Sequence, residues 1–287
     1  MPGLSPVLGL GVEAGRAAVR LARLPLDIAE EGVGTLTGWL GHPRAARAAD
    51  ATAPPDDPVS TVPVLLVHGL ADREWVVSSL HRGLDGCGVG PFVPVDYKAL
   101  SPDIRSAARV LGDQVEAAHA RSTGRSVVLI GYSLGGLIAR YYVQRLGGDA
   151  YVSLLITLAT PHTGTATALL APPHPLLRQL RPGSDVLAEL AEPAAGCRTR
   201  FVAFYSDLDE AVVPAARGRI DHPDLEARNV LVPGVGHLTL PLHQPVIEQM
   251  RSLLTAAGAA VTAGSPPRCA RGGVTAGRNR RTLKRSR

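Results

Sequence analysis

Val127-Val128-Leu129-Ile130-Gly131-Tyr132-Ser133-Leu134-Gly135-Gly136 is the stretch on which the reading of this chain turns. Its first four residues are apolar without alternation, the pattern of a short strand covered on both faces of a parallel sheet. Its last residues open a helical periodicity expected to run from about 134 to 146. Between the two lies Gly-X-Ser-X-Gly, which sets Ser133 on a sharp strand-to-helix turn, with glycines where a side chain would strike neighbouring backbone. A hydroxyl on such a turn, beside the positive end of a helix, is a candidate nucleophile. The alternative is an ordinary capping serine in a glycine-rich turn.

Short apolar runs alternate with helical periodicity on both sides of this stretch. Val64-Leu65-Leu66-Val67 is apolar throughout, and Phe92 to Val95, Leu154 to Leu158, Phe201 to Tyr205 and Val230 to Val232 are further strand candidates. A helix is expected near 74 to 84, where Val76, Val77, Leu80 and Leu84 share one side. Another follows Ser101-Pro102-Asp103, with Ser101 as the expected cap, because Ile104, Ala108, Leu111, Val115 and Ala118 keep the 3.6-residue period. The alternation predicts an α/β fold with a mostly parallel central sheet and helices on both faces. Such sheets place their sites on loops leaving the carboxyl ends of the strands.

A serine hydroxyl needs a base to take its proton, and the base needs a third group to orient it. The histidines after Ser133 are His162, His174, His222, His237 and His243. His237 lies in Pro233-Gly234-Val235-Gly236-His237-Leu238, a glycine-rich loop after the last strand candidate, and is the expected general base. The acid is expected in the loop after Phe201 to Tyr205, where Asp207 and Asp209 compete. Asp209 is favoured because its distance from the strand end lets the loop turn back towards His237. Asp207 then reads as a turn or capping residue and Glu210 as a solvated side chain. An oxyanion site needs two backbone N–H donors, expected at Leu134 and at Leu70 in His68-Gly69-Leu70 after the first strand. His68 is expected to brace that loop rather than to carry protons.

Val67-His68-Gly69-Leu70, Gly131 to Gly136, Thr160-Pro161-His162-Thr163-Gly164-Thr165, Asp209 with Val212 and Pro214, and Gly236-His237 together resemble the bacterial triacylglycerol lipases and related esterases of the α/β-hydrolase superfamily. The resemblance covers roughly residues 62 to 252. It implies the α/β-hydrolase fold with a short cap or lid segment, the triad Ser133, Asp209 and His237, and oxyanion donors at Leu70 and Leu134. The activity it implies is cleavage of carboxylic esters of apolar acyl substrates, with no metal or organic cofactor. Transfer of the acyl group to an alcohol or thiol, thioester cleavage and, in another class, non-catalytic lipid binding stand as alternatives.

Pro161 and Gly164 make a rigid turn that should hold His162 near the site, as loop support or as a substrate contact. Residues 165 to 192, with Leu169, Leu170, Leu176, Leu177, Leu180, Leu187 and Leu190, read either as a cap over an acyl cleft or as a pair of core-packing helices.

Hydrophobic residues make up 45% of the chain and aromatic ones only 4%, so core and cleft alike must be mostly aliphatic. The net charge of +5 arises at one end: Arg268, Arg271, Arg278, Arg280, Arg281, Lys284, Arg285 and Arg287 stand without an acid, leaving the remainder slightly acidic. Without aromatic interleaving or a nucleic-acid fold, this is expected to be a solvated tail, and nucleic acid is not an expected partner. Cys87, Cys197 and Cys269 show neither a paired framework nor metal-ligand spacing. The expected organisation is an N-terminal helical extension and linker over 1–55, a catalytic domain over 56–257 and a disordered basic tail over 258–287. Arg16, Arg20 and Arg23 share a helix face in the extension, which docks on the domain, lies on a membrane surface or is disordered. No signal peptide or membrane span is visible, so a cytoplasmic protein is expected, with an ester or lipid as partner and peripheral contact with a lipid interface as the further option. Oligomeric state leaves no trace in the sequence.

Overall fold

The computed structural model describes residues 61–70, 73–97, 103–171 and 174–262. The expected extension, its linker and the basic residues from 268 onwards lie outside the described residues. Six strands, β1 (Val64–Val67), β2 (Phe92–Pro94), β3 (Val127–Tyr132), β4 (Val152–Leu158), β5 (Arg200–Tyr205) and β6 (Glu226–Leu231), form one sheet in the order β2-β1-β3-β4-β5-β6. Every neighbouring pair is parallel. All carboxyl ends therefore share one edge.

Both faces of the sheet are covered, which is why the central strands read as unbroken apolar runs. Leu65, Val67, Leu129, Leu155 and Phe201 pack on one side with α2 (Ile104–Arg121) and α3 (Leu134–Arg145). Val64, Leu66, Val128, Ile130 and Ile156 pack on the other with α1 (Arg73–Leu84) and α6 (Gln244–Thr262). The two-residue alternation of β1 between these clusters is the geometry of a strand expressed in burial.

Three expectations are corrected. The cap of α2 is Asp103, whose Oδ1 accepts the Ser106 N–H at 2.6 Å, so the helix begins after Ser101 and Pro102. The last strand runs Glu226–Leu231 rather than Val230 to Val232, because an edge strand leaves half its residues to solvent and Glu-Ala-Arg-Asn does not read as an apolar run. Finally, α6 crosses the expected boundary at 257–258 and ends at Thr262, carried on by alanines of high helix propensity.

The segment 165 to 192 consists of a 3-10 turn (Ala166–Leu169), α4 (Pro175–Gln179) and α5 (Asp185–Ala191). Leu176, Leu180, Leu187 and Leu190 are buried in the main core, so this is a core-packing pair of helices. Arg105 of α2 pairs with Asp185 at 2.8 Å and with Glu189, and the Ile104 N–H donates to Gln179 Oε1 at 2.8 Å. Only Leu169 and Leu170 of its leucines stand clear of the domain.

Candidate active site

At the end of β3 the chain turns so sharply that Ser133 adopts φ 52° and ψ −122°. The Ser133 N–H donates to Leu158 O at 2.8 Å, and the Gly136 N–H to Ser133 O at 3.1 Å. The flanking glycines are explained by contact: a Cβ on Gly131 would overlap the backbone of Gly136, and one on Gly135 would overlap the carbonyl oxygens of Val67 and His68. The first turn of α3 is thus pressed against the end of β1.

Ser133 Oγ lies 3.1 Å from His237 Nε2, although 104 residues separate them. On the other side of the imidazole, Nδ1 lies 3.0 Å from both Oδ1 and Oδ2 of Asp209. An Asp209 carboxylate in that position holds the proton on Nδ1 and leaves Nε2 free to accept from the serine. Asp209 is itself fixed, since its Oδ1 also accepts the N–H groups of Ala211 at 2.9 Å and Val212 at 2.8 Å. Of the two aspartates that competed in the sequence, Asp209 faces His237 and Asp207 does not: Asp207 Oδ1 accepts the Gly234 N–H at 2.7 Å.

Asp207 is one of three side chains after β5 that grip the histidine loop by its backbone. Ser206 Oγ accepts the Val235 N–H at 3.3 Å, and Glu210 Oε2 accepts the His237 N–H at 3.0 Å. Glu210 is therefore engaged in the site rather than being the solvated side chain expected from sequence. Its adjacency to Asp209 was the available signal. Tyr132 adds a fourth support, with its ring 5.3 Å from the imidazole and its hydroxyl donating to His237 O at 3.4 Å.

The loop His68-Gly69-Leu70 leaves β1 directly beside the serine. A Cβ on Gly69 would sit 3.2 Å from Ser133 Cβ, so the absence of a side chain sets how close this loop comes. Leu134 opens α3, which makes its N–H one of the helix's first-turn donors without an internal partner. The two expected oxyanion residues thus lie in the loop after β1 and in the first turn of α3, which meet at Ser133. His68 stacks on Tyr97 at 4.2 Å, and Tyr97 donates its hydroxyl to His68 O at 2.6 Å, so the loop is braced from below. Tyr97 carries no motif and was not singled out from sequence.

His162 belongs beneath the site. It is 2% exposed, its Nε2 is 2.9 Å from Thr157 Oγ1, and burial holds its pKa well below the ordinary imidazole value, with Arg140 adding to the effect. Arg140 reaches over from α3 and donates to His162 O at 3.1 Å and Leu190 O at 3.2 Å. His162 is thus tied into the loop after β4 by Thr157 on one side and Arg140 on the other.

A family model described as palmitoyl protein thioesterase matches residues 63–216, more than half of the chain. The chain belongs to the palmitoyl protein thioesterase family. The matched span of this family contains Ser133 and Asp209 and ends before His237. A GPI inositol-deacylase of Candida albicans is 37% identical over 68 residues, which are 20% of this chain and 17% of that protein. The chain thus spans a small part of that relative's length.

Among solved structures, the mature lipase BlEst2 of Bacillus licheniformis superposes with a TM-score of 0.59 at 18% identity, over 75% of this chain and 99% of that one. Lipase B of Aspergillus fumigatus gives 0.52 at 18% identity, over 60% and 45%. Est1E of Butyrivibrio proteoclasticus gives 0.51 at 16% identity, over 69% and 90%. At such identities the likeness is one of fold, and the fold is that of the α/β-hydrolases. The expected likeness to lipases and esterases holds for the fold, while the family is that of palmitoyl protein thioesterase.

Proposed function

We propose that the chain is a serine hydrolase that cleaves ester bonds of apolar acyl substrates through an acyl-enzyme on Ser133. The observation that carries this reading is the unbroken contact chain from Ser133 Oγ through His237 to Asp209. His237 Nε2 takes the hydroxyl proton as Ser133 Oγ attacks the acyl carbonyl. The backbone N–H groups of Leu134 and Leu70 receive the oxyanion, and their fixed dipoles need no reorganisation as charge develops. The imidazolium returns the proton to the leaving group, and water, deprotonated by the same imidazole, releases the acid. Asp209 keeps the imidazole in the productive tautomer and stabilises its charged form.

Leu70 and Leu238, each in or next in sequence to a residue of the proposed machinery, are 37% and 45% exposed. An aliphatic acyl chain suits such exposed apolar side chains. Family membership favours a thioester as the scissile bond, and the partial likeness to a GPI inositol-deacylase supports removal of acyl groups more broadly. The test pairs matched oxygen esters and thioesters from acetyl to palmitoyl, run beside Ser133→Ala. Turnover should rise with acyl length, and Ser133→Ala should abolish both turnover and labelling by a serine-directed phosphonate. Persisting turnover in a folded Ser133→Ala protein overturns the mechanism, and a preference for oxygen esters at every length overturns the thioester assignment.

A further inference from the structure

The 3-10 turn Ala166–Leu169 and the residue after it hold two leucines in solvent, Leu169 at 59% and Leu170 at 84% exposure. The turn is braced, not loose. Thr165 Oγ1 and Thr167 Oγ1 each donate to Ala211 O at 2.7 Å, and the Ala166 N–H donates to Val213 O at 2.9 Å. Arg181 Nε donates to Ala168 O at 3.1 Å from the other side. The leucines are thus presented from a rigid turn tied to the loop that follows Asp209. Adjacent apolar side chains held out in this way mark a contact surface.

The acids that border the turn and the stretch bracing it are engaged: Asp185 pairs with Arg105, Asp221 with Arg219, and Glu210 accepts the His237 N–H. From Thr163 to Ser184 the chain carries Arg178 and Arg181 and no acid, and the facing stretch Ala211 to Ile220 carries Arg217 and Arg219 and no acid. Arg219 is paired with Asp221. Arg178, Arg181 and Arg217 form no ion pair among the described residues.

We propose that this turn docks the domain on an anionic lipid bilayer, with Leu169 and Leu170 entering the headgroup–acyl boundary and Arg178, Arg181 and Arg217 meeting lipid phosphates. Leucines within a frame of unpaired cations match that surface in both chemistries. A second copy of this chain meeting the turn face to face would oppose arginine with arginine, and the basic tail beyond Arg268 would be repelled for the same reason. The proposal rests on the reading of the site as one that takes apolar acyl esters, since docking would bring the domain to where such substrates reside.

The experiment is cosedimentation of the full chain with phosphatidylcholine vesicles, with and without phosphatidylglycerol, at low and high salt. Phosphatidylglycerol should tighten binding. Leu169→Ser with Leu170→Ser should weaken it about tenfold or more at both salt concentrations, because apolar insertion is not screened. Arg178→Gln should weaken it about fivefold at low salt only. The basic tail is present in every variant, so its own contribution cancels. Turnover of a soluble short ester and phosphonate labelling should be unchanged in all of them. Vesicle binding indifferent to the leucine pair overturns the proposal, as does self-association of the parent that the leucine variant abolishes. A parent that binds vesicles through the leucines yet resists phosphonate labelling overturns the function above and leaves the docking surface standing.

Discussion

The Glu210 carboxylate accepts the backbone N–H of His237 at 3.0 Å, while its chain neighbour Asp209 faces the ring of the same residue. Adjacent carboxylates therefore fix one histidine twice, by main chain and by side chain. Glu210→Ala should lower kcat about tenfold to a hundredfold with KM little changed, the scale expected when a reacting group is displaced by an ångström or so. Glu210→Gln should restore most of the loss, because an amide oxygen still accepts the N–H. Steady-state kinetics of both variants, beside thermal unfolding, check this. Equal losses in Ala and Gln would mean that charge, not position, is what Glu210 supplies.

Asp209 and Asp207 separate by the same kind of argument. On the proposed mechanism, Asp209→Asn keeps the shape but loses the charge facing the imidazole, and kcat should fall about 10³ to 10⁴-fold. Asp207→Asn retains an oxygen for the Gly234 N–H and should change kcat little. A large loss at 207 with a small one at 209 would reverse the assignment.

His162 gives the fold an acid-sensitive component. Burial, reinforced by Arg140, holds its folded pKa well below the ordinary value of 6.5 that the unfolded chain restores. As pH falls below that value the unfolded state binds a proton that the folded state refuses, so stability declines by up to about 1.4 kcal/mol per pH unit. Above it the contribution is constant. His162→Gln should be less stable at neutral pH, through the lost Thr157 contact, and should lose less on acidification to about pH 5. Denaturant midpoints across this range decide it, and equal slopes for parent and variant would remove His162 as the cause.

Gly135 has no room for a side chain, since its missing Cβ would fall on the backbone oxygens of Val67, the last residue of β1, and of His68 directly after it. Gly135→Ala should destabilise the protein by about 3 kcal/mol, at the upper end of overpacking effects. Urea unfolding measures it.

The buried strands and the serine turn were legible in the sequence because both are written in local pattern. Val64 to Val67 and Val127 to Ile130 are apolar at every position, and the glycines around Ser133 stand where contact forbids anything larger. His237 was found through its glycine-rich loop, and Asp209 by its place after β5. Edge strand β6 was misplaced because half of it faces water and its residues follow solvent rather than the sheet. Glu210 reads as solvated in the sequence, and Tyr97 carries no mark there, for a different reason. Each acts on the backbone of a loop distant in sequence, from a position that no periodicity marks.

Ser133 is the one residue of the proposed machinery whose own backbone resists its place. A φ of 52° with a ψ of −122° is open to glycine and disfavoured for any residue with a Cβ, by about 1 to 3 kcal/mol. The residue that best fits this turn is therefore one that cannot react. Ser133→Gly should unfold at a higher temperature than the parent while doing no chemistry, and Ser133→Ala, which keeps the Cβ, should gain little. On the proposed mechanism the hydroxyl at this turn is thus carried at a cost in folding stability that a glycine would not incur.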